Sequence, residues 1–184
     1  YSAFRFDITD FVSEGENVIA VKVDNSPTNY IAPITDQGDF TKMGGFYRGV
    51  KLIVTENVHI DLLDYGSSGV YVTPKNITSD NVQADILVKL ANDGDMERTL
   101  TVTAEILDAE GTAVAVARED MTLFADSKTS VALNTDITAP MLWNGRKCPY
   151  LYTEKVTLSE GGNVLDSRLQ TFGIRTYNID REQG

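Results

Sequence analysis

With one cysteine, one histidine and one tryptophan among 184 residues, the chain lacks the side chains on which several chemistries depend. A lone cysteine, Cys148, rules out an internal disulfide framework and any cysteine cluster. It stands beside Pro149 with no CxxC partner, and reads as a small buried residue. Metal sites built on histidine and cysteine clusters fail by count, and a Ser-His-Asp triad would have to use His59. His59 alternates with Val58, Ile60 and Leu62, which predicts a surface position on a strand. Bases are also scarce: 16 Lys and Arg face 27 Asp and Glu, for a net charge of −11. That balance argues against nucleic acid and against anionic membrane surfaces, both of which require basic patches. No apolar run approaches the ~20 residues of a membrane-spanning helix. Neither a signal-peptide pattern nor a phosphate-binding glycine loop is visible.

Alternation with a period of two is present almost throughout. Phe4, Phe6 and Ile8 share one face, as do Ile19, Val21 and Val23. The longest case runs Val82, Ala84, Ile86, Val88, Leu90, and Leu100, Val102, Ala104, Ile106 follows. Such alternation fits antiparallel strands with one face in a core and the other in water. Turn formers separate the runs: Ser13–Glu16, Asn92–Asp95, Asp108–Gly111 and Glu160–Asn163. Asn92-Asp93-Gly94-Asp95 lacks the spacing and terminal glutamate of a calcium loop and reads as a hairpin turn. No stretch shows helical periodicity with caps. The fold class is all-β.

Residues 26–48 break the pattern with Pro27, Pro33, Gly38, Gly44 and Gly45 among polar and aromatic residues. A loop of this length in a compact domain is functional or a linker. Strand character returns at Val50–Thr55 and again at Val58–Leu63, and the domain boundary is placed at 57/58. Residues 58–179 suffice for the seven or so strands of an immunoglobulin-like sandwich. Residues 1–57 are too few for a complete sandwich.

Within the loop, Gly44-Gly45 allows a tight turn and close backbone approach just before a strand. Asp39, flanked by Gly38, offers a carboxylate that can cap backbone N–H groups or accept hydrogen bonds from sugar hydroxyls. Arg48 presents a planar fork suited to bidentate pairing, and a structural ion pair bracing the loop is favoured over direct sugar contact. Trp143 makes no sugar platform by itself, so it is expected to pack in or against the sandwich. Adjacent acids such as Glu119-Asp120 point to opposite faces of a strand and cannot act on one bond.

Three stretches resemble family 2 glycoside hydrolases of the β-galactosidase kind, in the family's order and spacing. Phe4-Arg5-Phe6-Asp7-Ile8-Thr9-Asp10-Phe11, with Gly15-Glu16-Asn17-Val18-Ile19-Ala20-Val21, looks like the later strands of that family's N-terminal jelly roll. Gly38-Asp39-Phe40 with Gly44-Gly45-Phe46-Tyr47-Arg48 is similar to its signature loop. Leu142-Trp143-Asn144, Pro149-Tyr150-Leu151-Tyr152 and Phe172-Gly173-Ile174-Arg175 resemble the last strands of its immunoglobulin-like domain. The resemblance implies that residues 1–57 are the C-terminal part of a jelly-roll sugar-binding domain. It implies an immunoglobulin-like β-sandwich over 58–179 and the start of a linker to a catalytic barrel at 180–184. Asp39 would then contact substrate from the loop, with Gly44, Gly45 and Arg48 as its structural frame. Gly49 departs from the family, where an acidic residue often follows this arginine.

The family's two catalytic glutamates sit in the barrel, so no catalytic residue, cofactor or metal ligand is expected here. The implied whole is a retaining hydrolase of terminal β-linked sugars, β-galactosides favoured, with β-glucuronidase or β-mannosidase as the alternative parents. A stand-alone carbohydrate-binding or adhesion module is the competing reading. A half jelly roll with open edges predicts that the isolated piece is disordered, self-associated or docked on the second domain. A periplasmic or secreted location is favoured over a cytoplasmic one.

Overall fold

The computed structural model describes residues 4–24, 45–46, 49–177 and 179–182. By its contacts the chain divides into two compact units, Asp7–Val54 and Tyr1–Phe6 with Thr55–Gly184.

The larger unit is all-β, a sandwich of two antiparallel sheets. Its strands are β1 (Val58–Ile60), β2 (Val70–Lys75), β3 (Asn81–Asn92) and β4 (Arg98–Leu107), then β5 (Ala113–Leu123), β6 (Ser127–Thr138), β7 (Tyr152–Glu160) and β8 (Asn163–Phe172). The first sheet is organised on β3. Along one edge β3 pairs first with β2, Val70 opposite Val88 through Lys75 opposite Gln83, and then with β1, Val58 opposite Asn92 through Ile60 opposite Leu90. Its other edge pairs with β6 from Asn81–Thr138 to Asn92–Ser127. The second sheet has the order β5-β4-β7-β8.

The alternation does what its period dictates. Val82, Ala84, Ile86, Val88 and Leu90 of β3 are at most 1% exposed and meet Leu100, Val102, Ala104 and Ile106 of β4 in one core. Fully burying such a side chain is worth about 1.5–3 kcal/mol. Two loops close the frame. Gly69 lets β2 start beside β1, since at φ +77° an added Cβ would run into the Asp61 carbonyl and lie 2.8 Å from Ile60 Cγ2. Gly161 (φ +56°) and Gly162 (φ +87°) supply the left-handed conformation of the β7–β8 hairpin.

Three local expectations need correction. Asn92–Asp95 is not a hairpin, because β3 and β4 belong to different sheets and the segment carries the chain across the sandwich. Local sequence cannot distinguish a turn within a sheet from one between sheets. His59 is not a surface residue but only 9% exposed. The Asn57–Asp93 backbone bond of 2.9 Å folds the crossing over β1, and Asp93 Oδ2 comes 3.9 Å from the ring's Nε2. Cys148 is half-buried rather than buried, in a bridge to Asn144.

The alternating runs before Val58 also behave differently from their reading. Among the described residues of this stretch there is a 3₁₀ turn at Thr9–Phe11 and no strand. A strand exists only where a second strand takes up its N–H and C=O groups, and alternation does not supply that partner. Ser13–Asn17 is instead a self-contained loop. Asn17 Oδ1 accepts from the Ser13 N–H at 3.0 Å, and its Nδ2 donates to the Ser13 and Gly15 carbonyls.

The crossing is fastened by Asn92, which is 1% exposed. Its Nδ2 donates to the carbonyls of Met96 (2.8 Å) and Phe124 (2.9 Å), while Oδ1 accepts from the Gly94 N–H at 3.0 Å. One amide thus ties together two of the sheet-to-sheet connections, β3–β4 and β5–β6. Asn92→Ala strands these backbone groups in the interior and is expected to lower stability by about 2–3 kcal/mol in urea unfolding. A change within ~0.5 kcal/mol, typical of surface substitutions, would contradict this role.

Candidate functional site

The residues expected to form a sugar contact fall mostly outside what is described: Asp39, Gly44 and Arg48 are not among the described residues. Gly45 is, and its φ of +92° is the left-handed conformation expected of that glycine pair. Nothing lies within 4 Å of a Cβ built on it.

The third motif can be followed in full, and its separated pieces converge. The Trp143 N–H donates to the Ile174 carbonyl at 2.8 Å, lacing the strand entering β7 to the one leaving β8. Gly173 makes this possible, because an added Cβ would sit 3.2 Å from Trp143 Cβ and 3.3 Å from Leu151 Cδ2. The half-buried indole packs against the sandwich, with the Arg175 guanidinium 5.2 Å from the ring centre on one side and 5.8 Å from Tyr177 on the other. Tyr152 stacks on Phe172 at 5.8 Å and meets Tyr150 edge-on at 5.0 Å. Its hydroxyl accepts the Met141 N–H at 2.8 Å. These aromatics are spent on packing and leave no open stacking face at Tyr152.

Several carboxylates of this unit are likewise engaged. Asp108 Oδ1 accepts the N–H groups of Glu110 and Thr112. Asp166 Oδ2 accepts the Ile60 N–H at 3.0 Å and its Oδ1 pairs with Arg168 at 2.7 Å, sealing β8 to β1. Glu160 is held by Arg98 through Nε at 2.6 Å, and this pair keeps its carboxyl below the usual carboxylate range. Glu119 and Asp120 are both exposed on β5. No group of three or more His, Cys, Asp or Glu that could hold a metal occurs among the described residues.

Glu154 is the exception, and it was not singled out from the sequence. It lies on β7 between Tyr152 and Val156, 0% exposed, with neither carboxyl oxygen bonded. The signal was present: the period of two in Tyr152, Glu154, Val156, Leu158 points it inward with three apolar residues. Burial pushes its pKa from 4.5 to about 7. Closed off from solvent, it has no route to a substrate and reads as a stability element.

Comparison with known proteins now adds what geometry alone does not. Residues 58–175 match the model of the glycosyl hydrolases family 2. A β-glucuronidase of Bacteroides fragilis is 34% identical over 189 residues, covering all of this chain and 26% of that enzyme. A β-galactosidase of Bacteroides ovatus is 28% identical over 185 residues, covering all of this chain and 20% of that enzyme. Among solved structures, Bacteroides uniformis β-glucuronidase 2 covalently bound to cyclophellitol-6-carboxylate aziridine aligns over 95% of this chain and 21% of its own. Its TM-score is 0.81 at 28% identity. The fold and these matches define the class: a β-sandwich region shared with glycosyl hydrolases. The chain belongs to glycosyl hydrolase family 2 and spans about a quarter or less of the curated relatives it matches.

The raised Glu154 pKa sets a pH dependence with a definite sign. The folded state holds its proton up to about pH 7 while the unfolded carboxyl loses it near 4.5. Unfolding therefore releases a proton between those values, and stability falls as pH rises through that window. The loss amounts to roughly 3 kcal/mol between pH 4.5 and 8. Glu154→Gln should flatten this part of the profile in denaturant titrations; an identical slope in the variant would refute the assignment.

Proposed function

We propose that this chain is the non-catalytic sandwich region of a family 2 enzyme that cleaves terminal β-linked sugars by a retaining mechanism. The observation that carries the reading is the end-to-end match: the β-glucuronidase and the β-galactosidase named above each align with the whole of this chain. In this reading residues 1–57 are the later part of a jelly-roll sugar-binding domain. Residues 58–179 are an immunoglobulin-like domain bracing the barrel, and 180–184 begin the linker to it. The two carboxylic acids that such chemistry requires, ~5 Å apart, would come from the portion of the relatives this chain does not span. Family membership and the whole-chain matches to glycosidases count against a free-standing adhesion module.

Asp39 is the proposed sugar contact. Its carboxylate accepts from hydroxyls of the terminal sugar, while Gly44, Gly45 and Arg48 hold the loop. β-Galactosides fit the loop resemblance. β-Glucuronides are the second reading, favoured by the 34% identity to the Bacteroides fragilis enzyme and the 0.81 TM-score to the Bacteroides uniformis one.

The test uses nitrophenyl β-galactoside and nitrophenyl β-glucuronide with the full-length polypeptide and with this chain alone. Full-length protein should turn over one of the two, and Asp39→Ala should lower its kcat/KM by about 100-fold, near 3 kcal/mol. The chain alone should release no nitrophenolate. Turnover by the chain alone, or a full-length Asp39→Ala variant of unchanged kcat/KM, would overturn the proposal.

A further inference from the structure

The outer face of the first sheet carries an open depression of about 390 Å³ that plays no part in the site discussed above. That volume lies within the ~300–1,000 Å³ of small-ligand sites. Strand register arranges its lining in rows. Tyr71, Leu87 and Ala132 are cross-strand neighbours and form an apolar row. Thr73, Asp85 and Asn134 form the next row, one side-chain repeat along the strands. Rows on one face are spaced by two residues, ~7 Å, and neighbours within a row by ~5 Å.

Both rows are held in place. The Tyr71 hydroxyl is fixed by Asp64 Oδ2 at 2.7 Å and Ser67 Oγ at 2.8 Å, which sets the ring's orientation. Asp85 is bound by Lys75 Nζ at 2.5 Å and by Gln83 Nε2 at 3.2 Å. Asn134 is exposed, and its amide leaves a donor and an acceptor beside that fixed carboxylate. An apolar strip next to a row of a hydroxyl, a carboxylate and an amide matches a pyranose, with C–H groups on its face and hydroxyls at its rim. The cation in the depression is already neutralised by Asp85, so nothing there selects for an anionic sugar.

We infer that this face is a carbohydrate subsite that takes neutral hexose units of a glycan, with Tyr71, Leu87 and Ala132 under the ring and Thr73, Asp85 and Asn134 on its hydroxyls. The inference does not depend on the glycosidase reading. An open site with a single aromatic ring binds weakly, with a Kd of about 1 mM.

Amide chemical shifts of the chain and of the full-length polypeptide, titrated with cellotetraose, β-1,4-galactotetraose and tetragalacturonate, test the inference. Shifts concentrated in β2, β3 and β6 with a neutral tetraose support it. Asn134→Ala should weaken that binding about fivefold, and Ala132→Arg, which places a long side chain on the apolar row, should abolish it. Both positions are exposed, so unchanged unfolding curves separate a binding defect from a folding one. No shifts with either neutral sugar, or stronger ones with tetragalacturonate, would overturn it. Binding by the chain but not by full-length protein would do so too, because the face would then be covered. Nitrophenyl glycoside hydrolysis by full-length Ala132→Arg should stay unchanged. Inactivity of the unsubstituted enzyme would tell against the glycosidase proposal alone.

Discussion

Everything in the sandwich depends on β3 being paired along both edges while burying one face. Its twelve residues, Asn81–Asn92, give β6 a continuous ladder on one side and divide the other between β2 and β1. Such a strand has no free edge to slip along, and a shift of one residue would turn Val82, Ala84, Ile86, Val88 and Leu90 into water. With β3 fixed, β4 can be placed only across the core from it, and the Asn92 amide holds the crossing segment there. The polar face left outside β3 is then also fixed, which is why Gln83 stands opposite Lys75 and Asp85 stands between Thr73 and Asn134.

At the far end of the unit the same logic runs through aromatic packing. Trp143, Tyr150, Tyr152 and Phe172 come from segments up to about thirty residues apart and interlock because Gly173 has no Cβ. Glu154 sits on the same strand as Tyr152 and is, among the described residues, the one buried acid without a bonded oxygen. A leucine there would pack with less electrostatic cost, so the glutamate makes the sandwich firmer in acid than in base.

The family and its chemistry separate cleanly. Membership rests on residues 58–175, where Asp108 is taken up by backbone N–H groups and Asp166 by Arg168 and the Ile60 N–H. A glycosidase needs two carboxyl groups free to act on one bond.

The sequence alone carried the all-β class, the strand faces of β3 and β4, the turns at Asp108–Gly111 and Glu160–Asn163, and the family. All follow from period-two alternation and short motifs, which are local properties. Glu154's inward direction was legible by the same rule. Tertiary structure decided what locality cannot contain. Asn92–Asp95 crosses between sheets because its flanking strands find different partners, and His59 is buried because that crossing lies over it. The alternating runs Phe4–Ile8 and Ile19–Val23 form no strand, since a strand's hydrogen bonds belong to a pair and one member's sequence specifies only half of it.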